Sequence, residues 1–76
     1  MTRLVMNIGM ADGIGPGDIV GVIAGVVRLP KEAVGAIKLL EHKTLVDVSD
    51  DSIKQVLKKL NGIKFKGHKL AIDLAG

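Results

Sequence analysis

The run Gly15-Pro16-Gly17-Asp18-Ile19-Val20-Gly21-Val22-Ile23-Ala24-Gly25-Val26-Val27 is the longest apolar stretch of the chain and limits what the rest can become. Proline is tolerated in the first turn of a helix, where its missing N–H would have had no intrahelical partner. Asp18 adds a carboxylate near the positive end of the helix dipole. The stretch predicts a helix that starts at Gly15-Pro16, ends near Val27 and is apolar almost all round, so that it should be pressed against other structure. Gly17, Gly21 and Gly25 recur at i, i+4 and i+8 and line one strip of it. Each interior glycine costs roughly 0.5–1 kcal/mol relative to alanine. Close approach of the helix backbone to a sheet is the expected compensation.

Three other readings of this stretch are weaker. A membrane span needs about 20 apolar residues, and Arg28 and Pro30 interrupt the run first. Small-xxx-small spacing drives helix pairing mainly in lipid. A phosphate cradle of the P-loop kind needs a Gly-Lys-Ser/Thr, which does not follow, and Gly13-Ile14-Gly15-Pro16-Gly17-Asp18 lacks the third glycine of the dinucleotide pattern.

Seventy-six residues, 1–76, are read as a single domain near the small end of what folds without staples. Without cysteine neither disulfides nor thiolate metal sites can do the stapling, which fits a reducing, cytoplasmic setting. Met1-Thr2-Arg3 leads only into a short apolar stretch and then polar loop residues, unlike a signal peptide. The net charge of +3 is unevenly spread. Residues 1–53 carry five basic and seven acidic groups, whereas residues 54–76 carry six lysines against Asp73 alone. Such an end suits either a polyanion partner, with nucleic acid foremost, or a lysine face kept for solubility.

In chain order, Arg3 to Ile8 alternates as a strand with Leu4, Met6 and Ile8 on one side. Residues 9–15 form a loop with Asp12-Gly13 as a turn signal. After the helix, Leu29-Pro30 restricts the backbone, and 30–33 suits one short helical turn. Gly35 to Glu41 and Thr44 to Val48 read as a strand hairpin, with Ile37, Leu39, Thr44, Val46 and Val48 facing inward. Ser49-Asp50-Asp51 is a helix start with a side-chain cap. Ile53, Val56, Leu57 and Leu60 then keep a helical period up to Asn61-Gly62. A Lys66-Gly67 turn leads into a last strand whose inward face is Leu70, Ile72 and Leu74.

The order β-α-β-β-α-β, with right-handed crossovers, predicts an α+β ferredoxin-like sandwich: a four-stranded antiparallel sheet with two helices on one face. The opposite face is open and would present Val5, Asn7, Lys38, Leu40, Lys43, Leu45, Asp47, Lys69, Ala71 and Asp73.

Several blocks resemble a known family. Met6-Asn7-Ile8-Gly9, Asp12 to Ala24, Leu29-Pro30, Val34-Gly35-Ala36-Ile37, Leu45-Val46-Asp47-Val48 and Leu60 to Leu70 match, in order and spacing, the DbpA-type RNA-binding domain of bacterial DEAD-box RNA helicases. The resemblance covers essentially the whole chain. It implies a variant of the RNA recognition motif fold, a structured RNA partner, ribosomal RNA included, and a helicase core elsewhere in the same longer chain. An ordinary RNA recognition motif stacks bases on aromatic residues of its central strands. The corresponding positions here are Val5, Lys43 and Leu45. The expected RNA face is therefore the basic rim of Arg3, Lys38, Lys43, Lys64, Lys66, His68 and Lys69, with Val5, Asn7 and Leu45 of the open sheet.

No Walker-type lysine loop and no Asp-Glu-Ala-Asp block occurs, so this chain is read as a non-catalytic module with no cofactor. His42 and His68 stand without carboxylate or cysteine companions at metal-ligand spacing, so no metal site is expected. Lys54, Lys58 and Lys59 read as the wet side of a helix. The competing function is a protein-interaction or homodimerisation module using Val5, Leu40 and Leu45 as an apolar sheet patch.

Overall fold

In a computed structural model, which describes residues 1–75, the chain builds a four-stranded antiparallel sheet backed by two helices, with a small hairpin beside it. The strands are β1 (Thr2–Met6), β2 (Val34–Leu39), β3 (Thr44–Val48) and β6 (Ile72–Leu74), in the order β2-β3-β1-β6. The separate hairpin is β4 (Lys64–Phe65) with β5 (His68–Lys69). Helix α1 (Pro16–Val22) continues as a π-helical turn, Ile23–Val27, and α2 (Ile53–Leu60) follows β3. This is the β-α-β-β-α-β sandwich that the periodicity implies. Among the described residues no helix is long and apolar enough to cross a membrane.

Alternation decides the two faces. Leu4 and Met6 of β1 pair with Val46 and Thr44 of β3, and all four are buried under the helices. Their neighbours Arg3 and Val5 pair with Asp47 and Leu45 on the other side. The core is closed by Ile19 and Ile23 from α1 and its extension, and by Val56 and Leu60 from α2, each fully buried. Thr44 is the one buried polar residue among the strands, and its hydroxyl donates to the Ile8 carbonyl at 2.7 Å, so its burial leaves no polar atom unpaired.

The glycine strip does not lie where its spacing suggests. Ile19, Val22, Ile23 and Val27 form the buried stripe of the α1 segment, while Gly17, Gly21 and Gly25 face solvent. A Cβ added at any of the three would meet nothing within 4 Å. Close approach to the sheet is thus excluded as their role. The segment's remaining apolar residues are half-buried or, like Val26 at 40%, exposed. With nearly every residue apolar, the sequence does not distinguish the face that packs from the one that does not.

Three further expectations change. Leu74 is 53% exposed rather than inward, because it ends an edge strand with a neighbour on one side only. Ser49 makes no side-chain cap; the chain enters α2 through a 3-10 turn, Asp50–Ser52, and the Asp50 carboxylate instead accepts from the Thr2 hydroxyl at 2.6 Å. The last strand is broken in two, β5 pairing with β4 and β6 with β1.

Candidate nucleic-acid interface

Two surfaces carry the residues singled out from the sequence. The first is the open sheet face. Lys38, Leu45, Val5 and Asp73 lie in register across all four strands. In the next row Arg3 donates from Nε to Asp47 Oδ1 at 3.0 Å. That contact, hydrogen bond first and charge second, raises the Arg3 pKa above its ordinary value. Arg3 is therefore already matched with a carboxylate. Val5 and Leu45 are half-buried and present no ring on which a base could stack. At the end of the sheet, Val5, Asn7, Lys43, Ala71 and Asp73 line an open cleft of about 410 Å³.

Asn7 joins the two surfaces. Its backbone N–H donates to Ala71 at 3.2 Å, its side-chain oxygen accepts from the Ala71 N–H at 2.8 Å, and its Nδ2 donates to the Lys69 carbonyl at 2.9 Å. The amide thus replaces the strand ladder where β5 gives way to β6.

The second surface is the β4–β5 hairpin. Lys66 and Gly67 both have positive φ, 49° and 83°, the pattern of a two-residue turn matched to strand twist. In this register Phe65 faces His68 and Lys64 faces Lys69. Phe65 packs half-buried against the core, while both lysines are exposed. Lys66 Nζ lies 3.1 Å from Asp18 Oδ1, and His68 Nε2 lies 3.6 Å from Asp12 Oδ1.

These carboxylates are the part of the site the sequence reading misses. Asp12 accepts the Gly9 N–H at 2.9 Å and Asp18 the Gly15 N–H at 2.8 Å. The Gly15 N–H first, and then Lys66, hold the Asp18 carboxyl below its ordinary 3.8. A signal was present in the repeated Gly-x-x-Asp spacing of Gly9–Asp12 and Gly15–Asp18. Among the described residues no three His, Asp or Glu side chains converge as a metal site would require.

The basic rim therefore divides. Arg3, Lys66 and His68 each face a carboxylate, whereas Lys38, Lys43, Lys64 and Lys69 have none within 4.0 Å among the described residues. Cations spread over a sheet edge and a hairpin, without rings between them, suit a phosphate backbone better than stacked bases. Fold and charge together suit a small nucleic-acid-binding domain.

The chain belongs to the DbpA RNA binding domain family, whose model matches residues 3–74. RNA is accordingly its partner, and the family is a binding module rather than an enzyme. The chain is also 27% identical over 72 residues to an uncharacterized protein of Treponema pallidum (strain Nichols), a match that covers 95% of this chain. It spans only 32% of that relative's length.

Proposed function

We propose that residues 1–76 form the targeting module of a DEAD-box ATP-dependent RNA helicase carried in the same longer chain, and that they bring its motor to structured RNA, ribosomal RNA included. The observation that carries this reading is the pair of exposed lysines, Lys64 and Lys69, with no carboxylate within 4.0 Å among the described residues, beside a sheet whose open face carries no aromatic ring. Base–aromatic stacking contributes about 1–3 kcal/mol per base to generic single-strand binding. Without it, a surface of this kind gains most from an RNA whose fold holds several phosphates in place. The greater length of the Treponema relative supports a module set in a longer chain.

The test is titration of the 76-residue chain with structured ribosomal RNA fragments and with an unstructured strand across a salt series. Tight, steeply salt-dependent binding to one structured fragment is expected. Absence of binding at low salt, with a dimer in sedimentation, would replace this reading with a protein-interaction module.

A further inference from the structure

We infer that Asp12 and Asp18 are positioning residues for the RNA-contacting hairpin, two acidic side chains that raise the affinity of this domain for a polyanion. The inference rests on the reading that Lys64 and Lys69 meet RNA phosphates.

The two carboxylates share one geometry. In each, Oδ2 accepts the N–H of the glycine three residues earlier, Gly9 for Asp12 and Gly15 for Asp18. In each, Oδ1 reaches the hairpin: Asp12 to His68 Nε2 at 3.6 Å, Asp18 to Lys66 Nζ at 3.1 Å. One oxygen is thus fixed to the body of the domain, and the other holds a residue beside Gly67 at the hairpin tip. The loop that carries Asp12 is itself tied down, since Met10 and Ala11 donate to the Leu40 and Glu41 carbonyls at 2.9 and 2.8 Å.

The hairpin needs such anchors. It has two residues per strand, and an isolated two-stranded hairpin is marginal in water. Its outward pair, Lys64 opposite Lys69, is like-charged and opposes closure. The backbone bonds Gly62 N–H to Leu70 and Leu70 N–H to Ile63 fix its base, and the Phe65 ring packs inward from one strand. Among the described residues, the Asp12 and Asp18 carboxylates are the ones that reach the tip, one on each side of Gly67. Each carboxylate already faces a basic group, so its repulsion of an incoming phosphate is reduced while its grip on the hairpin remains.

This assignment has a sign opposite to simple electrostatics. Removing a negative charge beside a polyanion site ordinarily tightens binding. Asp12→Asn and Asp18→Asn each retain an acceptor for the glycine N–H and lose the carboxylate charge that faces the hairpin. Titrated with a labelled ribosomal RNA hairpin at several salt concentrations, each variant should bind about threefold more weakly, and the double variant about tenfold. The salt dependence should become shallower, as fewer phosphates are met at once. In a Lys64→Ala/Lys69→Ala background the same changes should have no further effect, whereas a purely electrostatic or global structural effect would persist. Asp18→Asn added to Lys66→Gln should likewise cost nothing beyond Lys66→Gln alone. Unchanged or tighter binding by the aspartate variants, while Lys64→Ala/Lys69→Ala still weakens it, overturns the positioning role and leaves the hairpin reading standing. If Lys64→Ala/Lys69→Ala has no effect either, the hairpin is not the RNA contact and both fall.

Discussion

Lys64 and Lys69 stand directly opposite each other across the β4–β5 hairpin, both exposed and neither within 4.0 Å of a carboxylate among the described residues. Like charges in that relation destabilise a strand pair, so the pair costs the free domain stability. Replacing both with alanine should lower RNA affinity and reduce the salt slope by about two, one for each lost phosphate contact. Lys69→Glu should separate the two properties. The cross-strand pair becomes attractive, raising stability by a few tenths of a kcal/mol, while RNA binding falls further than with alanine. Thermal melts beside RNA titrations check this; a variant that melts higher and also binds RNA more tightly would contradict it.

Asn7 ties Lys69 to the end of the sheet through its own amide. Both ends of that amide are engaged, with the Ala71 N–H and the Lys69 carbonyl. Asn7→Ala should cost about 1 kcal/mol in urea unfolding, given roughly 0.5–1.5 kcal/mol net for an ordinary hydrogen bond and the exposure of these two. It should also weaken RNA binding uniformly across RNA sequences. A change in base preference with unchanged stability would instead make Asn7 a direct reader of bases.

Much of the fold was legible because alternation and helical period are local. The two faces of β1 and β3, the amphipathic α2 and the Lys66-Gly67 turn all follow from neighbours in the chain. The orientation of α1 was not legible. Its apolar residues leave no polar face to mark the wet side, and only the assembled core shows Ile19, Val22, Ile23 and Val27 turned inward. The site was half legible for a related reason. Lysines can be counted in the sequence, but whether a lysine is already matched depends on residues distant in the chain. Asp47 for Arg3, Asp18 for Lys66 and Asp12 for His68 arrive through the topology. Ser49 and Leu74 went astray at element ends, where a 3-10 entry and a sheet edge override the local pattern.

Two glycines should respond to alanine with opposite signs. At Gly9 an added Cβ would run into the Leu40 carbonyl oxygen and lie 2.7 Å from Lys43 N and 2.8 Å from Glu41 O. All three are backbone atoms of the β2–β3 connection, so Gly9→Ala should cost at least the roughly 1–3 kcal/mol of overpacking. At Gly21, inside α1, the same Cβ meets open space. Gly21→Ala should therefore stabilise by roughly 0.5–1 kcal/mol through helix propensity alone. Urea unfolding of the two variants decides it. Destabilisation by Gly21→Ala would mean that the exposed glycine strip has a structural role beyond the contacts seen in this fold.

Acid should loosen the domain in part through Asp18. Its carboxyl is held below the ordinary 3.8, first by the Gly15 N–H and then by Lys66. A carboxyl with a depressed folded value binds its proton less readily in the folded chain than in the unfolded one. Its contribution is therefore fully present above the unfolded value and is lost as pH falls through the folded one. Asp50 is depressed in the same direction, first by the Thr2 hydroxyl and then by the amino terminus. Arg3, raised by its contact with Asp47, keeps its own charge throughout the acid range. Melting temperature should thus be level from neutral pH to about pH 5 and decline below 3.8, the ordinary value of both carboxyls. Asp18→Asn has no group to titrate there and should begin lower at pH 7 but lose less between pH 5 and pH 2. High salt should shrink the difference without removing it, because salt screens Lys66 but leaves the Gly15 hydrogen bond. Melts by circular dichroism across this range test the point; an Asp18→Asn variant that loses as many degrees as the parent would show that this carboxylate does not couple the helix start to the hairpin.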